Sequence, residues 1–330
     1  MAETLAFYKG SKSMDRTGME TVHSGMGTQM MHKAFGSYAR EALRAAAGEA
    51  KRLEGLLSRF LPESDVGRLN RSAGIKGEEV SPETYQVLEQ AMGYSKIFQG
   101  LFDVTVAPLV DLWDYKHASE SPGEVRIGQV LSLVNYRDLA LDSGKKRAGL
   151  KKAGQAIDLG GIGKGFASDR FMEIFKAYGV ASAFSNIGGN VSTLGNKPDG
   201  SPWRVGIRHP RQEGILGAVA VTEKAVVTSG DYERYFIDRQ DRRRHHILNP
   251  VTGYPAESGL VSVTVVSDSA MAADALSTAI FVAGLEKGIA LLERVPRTEA
   301  VLVDGRLRVY VTPGLRQRFA AAGGIEAKVL

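Results

Sequence analysis

The residues best able to do chemistry in this chain fall in four short stretches. The first, Ile157–Gly165, reads Ile-Asp-Leu-Gly-Gly-Ile-Gly-Lys-Gly, with Asp158 and Lys164 set among four glycines. Glycine serves where backbone turns at positive φ or passes close to another group. A glycine-rich turn that opens a helix also offers N–H groups at the positive end of the helix dipole, which suits an anion. The P-loop pattern fails here, because Asp158 replaces its first glycine and Gly165 replaces its Ser or Thr. The dinucleotide fingerprint fails because Phe166 stands at its last glycine. Two readings stay open: an anion site of another kind, or a tight strand-to-helix turn with no ligand.

The second stretch holds Asp274 and Thr278, four apart on one face of a helix read from Ser269 to about Ala283. That helix is apolar nearly all round, so it should be buried. A buried carboxylate needs a partner. The partner could be a Lys or Arg, or a hard cation such as Mg²⁺, which takes few protein oxygens and completes its shell with phosphate and water. The third stretch is Arg242–His246. Its Arg run reads as a solvated hairpin end. His accepts a proton near neutral pH, and strand neighbours point to opposite faces, so only one of His245 and His246 can face a given pocket. The fourth, Thr228-Ser229-Gly230-Asp231-Tyr232, reads as a turn. Its hydroxyls and N–H groups could hold phosphate oxygens or serve ordinary turn chemistry.

The elements around these stretches follow from spacing and punctuation. Apolar positions from Leu43 to Leu57 repeat at helical spacing. Ser81-Pro82 marks a helix start, with Ser as N-cap and Pro in the first turn. Phe102, Trp113 and Tyr115, with Asp103 between, form either a small hydrophobic core or a wall for a planar ring. A helix over Phe166–Tyr178 should follow the glycine loop and stop at Gly179. Short strands follow it, at Ala183–Ile187, Trp203–Ile207, Ala218–Thr222, Ala225–Thr228 and Tyr232–Ile237, in a pattern that favours antiparallel pairing. Leu260–Ser267 reads as a strongly buried strand. Asp304-Gly305 reads as a hairpin turn, and a basic helix is expected after Pro313. Residues 1–25 are polar and rich in Gly, Ser and Met, and are expected to be poorly ordered. Residues 26–330 are expected to form one functional unit.

The 330 residues have ordinary globular composition, 43% hydrophobic and 24% charged. A net charge of +5 suits small anionic ligands or an envelope surface. No basic stripe interleaves with aromatics, so nucleic acid is not expected as a partner. Cysteine is absent, which excludes disulfides, thiolate metal sites and Cys nucleophiles. The first 25 residues show no apolar signal-peptide core. No run approaches the ~18 apolar residues of a membrane span.

Taken in order, the motifs resemble those of the FAD:protein FMN transferases, the ApbE flavin-transferase family. The matching stretches are Met26-Gly27-Thr28, Phe102–Leu109 with Leu112-Trp113, Ile157–Gly165, Gly188-Gly189-Asn190, Thr228–Tyr232, His246–Pro250 with Thr252-Gly253, and Asp274–Thr278. Asn249 stands where other members carry Asp. The resemblance implies an α+β, T-fold-like architecture. Antiparallel or mixed sheets would be covered by helices, with FAD and metal in a cleft between two lobes. It places the isoalloxazine near Met26, Phe60 and Leu101-Phe102-Asp103, with Asp158 and Lys164 flanking the cofactor and Thr228-Ser229-Gly230 near the phosphates. Mg²⁺ would be held by Asp274, Thr278 and the backbone carbonyl of Gly161, and His246 would be the catalytic base.

The implied reaction splits FAD, passes FMN to a Thr or Ser hydroxyl of an acceptor flavoprotein as a phosphoester, and releases AMP. Two alternatives remain at this point: an FAD pyrophosphatase giving FMN and AMP, and a non-enzymatic FAD-binding protein. The resemblance places the chain in the periplasm or cell envelope, with the cytoplasm as the alternative.

Overall fold

Leu260–Ser267 is the strand on which the architecture is built, and it is buried along its whole length. Val263 and Val265 enter a large core on one face, while Val261 and Val266 enter a second core on the other. A strand covered on both faces needs a near-continuous apolar run, which this sequence supplies. The computed structural model describes residues 18–330.

The strand lies sixth in a nine-stranded sheet. The spatial order is Met19–Gly25, Thr28–Phe35, Ser182–Ile187, Asn190–Leu194, Ala225–Gly230, Leu260–Ser267, Glu299–Asp304, Val309–Val311 and Ala327–Val329. Neighbours pair antiparallel except at the far edge, where Val309–Val311 and Ala327–Val329 run parallel. One face carries the helices Ala39–Leu57, Gly163–Ala177 and Ala270–Ala283, with Leu43, Phe171, Phe175, Leu276 and Ile280 in the larger core. The other face is covered by a three-stranded sheet of Trp203–Arg208, Ile215–Val221 and Phe319–Ala321. The α+β class with mixed sheets is therefore as the sequence indicates. A third small core joins Leu109, Trp113, Ile127 and Leu248.

Several local expectations change. Met19–Gly25 is a strand, not loose chain; it forms a hairpin with Thr28–Phe35 through Met26 (φ 50°) and Gly27 (φ 72°). Both turn residues at positive φ match the twist that two-residue hairpins need. The expectation for residues 1–17 lies outside the described residues. Thr228-Ser229-Gly230 is the end of a strand, with Thr228 paired to Thr264 across the sheet, and not a turn. After Pro313 there is no basic helix. A single 3₁₀ turn, Pro313–Leu315, leads to the strands Phe319–Ala321 and Ala327–Val329. Pairing with two existing sheet edges satisfies this backbone, and local composition does not override it. Gly188 (φ 54°) and Gly189 (φ 96°) make the turn from Ser182–Ile187 into the strand that begins at Asn190. Among the described residues no helix is long and apolar enough to cross a membrane.

Candidate active site

The helix Gly163–Ala177 begins inside the glycine loop, three residues earlier than the sequence suggests. None of Gly160, Gly161, Gly163 or Gly165 has positive φ. Gly160, Gly161 and Gly165 act by close approach. A Cβ on Gly165 would lie 2.4 Å from the carbonyl oxygen of Ala270 and 2.7 Å from Met271 Cα. Only glycine lets the starts of Gly163–Ala177 and Ala270–Ala283 meet this closely. Asp169, one turn along, locks the contact by accepting from Ser269 Oγ (2.8 Å) and from the N–H groups of Ala270 (2.7 Å) and Met271 (3.1 Å).

The contact delivers an anion to the first turn of the loop helix, and that anion is the protein's own Asp274. The Gly165 N–H donates to Asp274 Oδ2 at 2.9 Å. Asp274 is 4% exposed, and the positive helix end favours its charge. Its other oxygen, Oδ1, has Lys164 Nζ at 3.9 Å, beyond hydrogen-bond length. Lys164 Nζ instead donates to the Gly160 carbonyl at 2.9 Å.

Thr278 lies one turn after Asp274, and its hydroxyl donates to the Asp274 carbonyl at 3.1 Å. A Cβ on Gly161 would be 3.5 Å from Thr278 Oγ1 and 3.2 Å from the Phe102 ring, so the Gly161 main chain passes directly against Thr278. Ser229 Oγ meets Ser277 Oγ at 2.9 Å and Thr278 Oγ1 at 3.4 Å. The structure thus gathers Gly161, Asp274, Thr278, Lys164 and Ser229, which are far apart in sequence. Among the described residues no group of three or more His, Cys, Asp or Glu could hold a metal. The groups gathered here are of another kind: one open carboxylate oxygen, the hydroxyls of Thr278 and Ser229, and the main chain of Gly161. A buried carboxylate with an unfilled oxygen beside neutral hard oxygens fits Mg²⁺, which binds few carboxylates when phosphate completes its shell.

The rim is set by a residue that the sequence did not single out. Arg59 pairs through Nε with Asp158 Oδ2 (2.9 Å) and grips both oxygens of Asp111 at 2.6 and 3.1 Å. Its guanidinium lies 4.6 Å from the ring centre of Phe60, which is 73% exposed. Asp158 Oδ1 is held by the Gly160 N–H at 2.7 Å. Met26, half-buried, brings its Cε to 3.8 Å from where a Gly163 Cβ would stand. Leu101 is half-buried and Phe102 buried behind the loop. Asp103 is committed to the fold. One oxygen accepts from the N–H and hydroxyl of Thr105 (2.8 and 2.7 Å), the other from the Tyr136 N–H (2.7 Å). Its side chain is not presented to a ligand. Thr228 Oγ1 bonds Thr264 Oγ1 at 2.8 Å, and a Cβ on Gly230 would strike the Tyr232 ring at 2.4 Å.

The two histidines separate cleanly. His245 is buried edge-on to Phe281; its Nε2 donates to the Ala256 carbonyl (3.0 Å) and its Nδ1 accepts from the Ile247 N–H (3.3 Å). Both nitrogens are used, so it is structural. His246 donates from Nδ1 to the Arg234 carbonyl at 3.3 Å. A carbonyl can only accept, so this bond leaves Nε2 with a free lone pair. His246 retains some exposed surface, yet protein atoms crowd the ring. Burial and then the positive charge of Arg234 push its pKa down to about 3, with Lys164 adding in the same direction.

Arg244 corrects the picture of a solvated run. It is 4% exposed, pairs with Asp238 (2.9 Å) and Glu257 (3.0 Å), and lies 6.0 Å from the Trp113 ring centre. Trp113 is buried and donates from Nε1 to the Gly253 carbonyl at 2.8 Å, so it is core and not a ligand wall. Of that aromatic group, Phe102 packs behind Gly161 and Tyr115 reaches His246, its ring 5.8 Å away.

Comparison with known proteins gives a consistent result. The ApbE family profile matches residues 26–302. The FAD:protein FMN transferase of Klebsiella pneumoniae is 34% identical over 273 residues, covering 82% of this chain and 84% of the relative. That of Treponema pallidum is 34% identical over 281 residues, covering 80% and 77%. Among solved structures, the ApbE protein of Thermotoga maritima superposes with a TM-score of 0.84 at 30% identity, covering 92% of this chain and 99% of that one. The apo form of the Pseudomonas stutzeri flavinyl transferase ApbE gives 0.82 at 31% identity, covering 94% and 98%.

Proposed function

Because this chain belongs to the ApbE family, we propose that it moves FMN from FAD onto a threonine or serine hydroxyl of a target protein, in a Mg²⁺-dependent reaction that releases AMP. That it is a transferase of the FAD:protein FMN transferase type follows from the family. The finer reading is carried by one observation. A histidine with a free Nε2 feels the charge of Lys164, which stands 3.9 Å from the open oxygen of the buried Asp274, one helical turn from the Thr278 hydroxyl.

The acceptor oxygen would form a bond to the flavin-side phosphorus as the bond to the AMP oxygen breaks, and the electron pair of that bond leaves with AMP. His246 Nε2 would take the acceptor's proton. With its pKa held near 3 in the free protein, His246 is neutral across the physiological range. The negative charge of a bound pyrophosphate would raise its basicity toward what general-base work needs. Such transfer depends mainly on positioning and charge neutralisation.

Asp274 Oδ1, Thr278 Oγ1 and the Gly161 carbonyl would hold Mg²⁺, and Ser229 stands next to Thr278 to contact phosphate. The bound ion would neutralise charge on the pyrophosphate oxygens. Lys164, 3.9 Å from Asp274, adds a second positive charge. Phe60, exposed and braced by Arg59, offers a flat face to the isoalloxazine. Met26 and the backbone of Leu101–Asp103 would close the sides, with Asp158 fixed by Arg59 at the rim. The chain's compartment in this reading is the cell envelope.

The test is to incubate the protein with FAD and an acceptor that a curated relative flavinylates, with Mg²⁺ and with chelator. AMP release that needs both acceptor and Mg²⁺ is expected. AMP release without acceptor would replace the transferase reading with FAD hydrolysis, and no AMP under any condition would remove the phosphoryl-transfer chemistry.

A further inference from the structure

We propose that the cavity beside His246, on its Arg244 side, is where the acceptor polypeptide docks and from which its hydroxyl reaches the base. This rests on the transferase reading above. The cavity measures about 400 Å³ and its walls include Arg242, Arg244, Asn249, Thr252, Tyr254 and Glu257. Sites for small ligands and side chains span roughly 300–1,000 Å³. None of these wall residues belongs to the cluster of Gly161, Lys164, Ser229, Asp274 and Thr278.

The same hairpin carries the base and the cavity. Arg244 lies two residues before His246 and Asn249 three after. Arg244 packs on Trp113 and His246 on Tyr115, so both face the segment Trp113–Tyr115. His246 also feels the charge of Lys164, which stands beside Asp274. The histidine thus follows the wall residue Arg244 along the chain, shares its Trp113–Tyr115 neighbourhood, and feels the charge of the phosphate-side cluster. A base that takes a proton from one substrate during attack on another needs to stand within reach of both.

The cavity is preformed. Trp113 Nε1 pins the Gly253 carbonyl at 2.8 Å, Asn249 and Tyr254 bond through their backbones at 2.8 Å, and Asn249 Oδ1 accepts from the Val251 N–H at 2.9 Å. A Cβ on Gly253 would lie 2.8 Å from Ile127, so the hairpin turn is seated in the small core.

The chemistry of the walls favours a polypeptide over a second phosphate. The positive charges of Arg242 and Arg244 are matched by Asp238 and Glu257. A wall with balanced charge and both donors and acceptors suits main-chain amides. An anion would need uncompensated positive charge. Arg242 and Glu257 have side chains 52% and 75% exposed and stand ready to contact a partner.

The experiment uses the full chain with FAD, Mg²⁺ and the flavin acceptor of the Klebsiella pneumoniae relative. Thr252→Trp fills the cavity from an exposed position, and Arg242→Ala removes a wall donor without adding bulk. The expected result is a KM for the acceptor raised about ten-fold in Thr252→Trp and several-fold in Arg242→Ala, on the order expected for lost binding contacts. FAD affinity by flavin-fluorescence titration should stay within about two-fold of wild type, and Thr252→Ser should restore the wild-type KM. An unchanged acceptor KM in both variants overturns the proposal. So does a parallel loss of FAD affinity, which would place part of FAD in the cavity. Failure of wild type to modify the acceptor overturns the transferase reading and this inference with it, whereas normal wild-type transfer with unaffected variants overturns the inference alone.

Discussion

Gly165→Ala is the sharpest perturbation of the loop. The added methyl would meet Ala270 O at 2.4 Å, with Ala270 C and Met271 Cα at 2.7 Å. All three opposing atoms are backbone, so no side chain can swing aside. Overpacking of this kind costs about 1–3 kcal/mol, and Ala recovers up to ~1 kcal/mol of helix propensity over Gly. With rigid backbone opposite, the clash should sit at the upper end, leaving a net loss of about 2 kcal/mol, or roughly 3 °C in Tm for a chain of this length. Relief of the clash must part the two helix starts. That weakens the Gly165 N–H bond to Asp274 Oδ2 and displaces the carboxylate, so Mg²⁺-dependent activity should fall further than stability alone explains. The internal control is Gly163→Ala, whose methyl would meet Leu159 Cβ at 3.7 Å and Met26 Cε at 3.8 Å, ordinary contacts. Thermal melts of both variants, with and without Mg²⁺, decide the matter. Equal stability of Gly165→Ala and wild type, or an equal loss in Gly163→Ala, would refute the close-approach account of this loop.

Three further outcomes are expected. Asp274→Asn keeps an acceptor for the Gly165 N–H but removes the site's carboxylate charge, so the Mg²⁺ concentration for half-maximal activity should rise on the order of 100-fold with little change in Tm; an unchanged Mg²⁺ requirement would remove Asp274 from the metal site. Arg59→Lys loses the two-pronged grip on Asp111 and cannot replace it with a point charge; FAD affinity should fall about ten-fold, and retention of wild-type affinity in a fluorescence titration would show that the rim does not depend on Arg59. His32 is fully buried, bonded to Ser185 (2.9 Å) and His23 (3.0 Å), and burial followed by the His23 charge lowers its pKa from 6.5 to about 4. The fold thus favours neutral His32. This stabilisation is complete above pH 6.5 and is lost as pH falls from 6.5 toward 4, a difference of roughly 3 kcal/mol. Urea midpoints at pH 7.5 and 4.5 should therefore converge in His32→Gln, and an identical acid slope in variant and wild type would exclude His32 as the source.

Much of the scaffold was legible because it depends on local signals. The Ser81 cap with Pro82, the helix carrying Asp274 and Thr278, and the buried strand Leu260–Ser267 all show in period and punctuation, and the structure has them. The pairing of Asp274 with Thr278 was legible because four residues is one helical turn. Long-range partners were not legible. Arg59 meets Asp158 across 99 positions of sequence, and nothing local marks a lone arginine after a helix as a rim residue. Arg244 sits in a run of three arginines that reads as solvated; only Asp238, Glu257 and Trp113 in space make its burial tolerable. Asp103 lies in a motif that points to the cofactor, yet its carboxylate organises the backbone at Thr105 and Tyr136. The edge strands at both ends of the chain were missed for the same reason, since their hydrogen-bond partners are distant in sequence.

The site also changes the meaning of the glycine loop. Read alone, the loop suggests a nest for a ligand anion. In the folded protein its helix end already faces Asp274, so the loop places an internal carboxylate and does not directly bind phosphate. In the proposed reading, the ligand's negative charge would be left to a metal held by that carboxylate, to Lys164 and to the hydroxyl of Ser229. In that reading His246, with its free Nε2, would act as the base for transfer between two substrates.

The central claim is that this site makes a covalent flavin–protein bond through phosphate. It is tested most directly by fragment-ion mass spectrometry of an acceptor protein after incubation with FAD and Mg²⁺, comparing wild type with His246→Ala. One FMN on a single threonine or serine, formed by wild type and at least about a hundred-fold more slowly by His246→Ala, is predicted. An acceptor of unchanged mass, or equal modification by both proteins, would contradict the account.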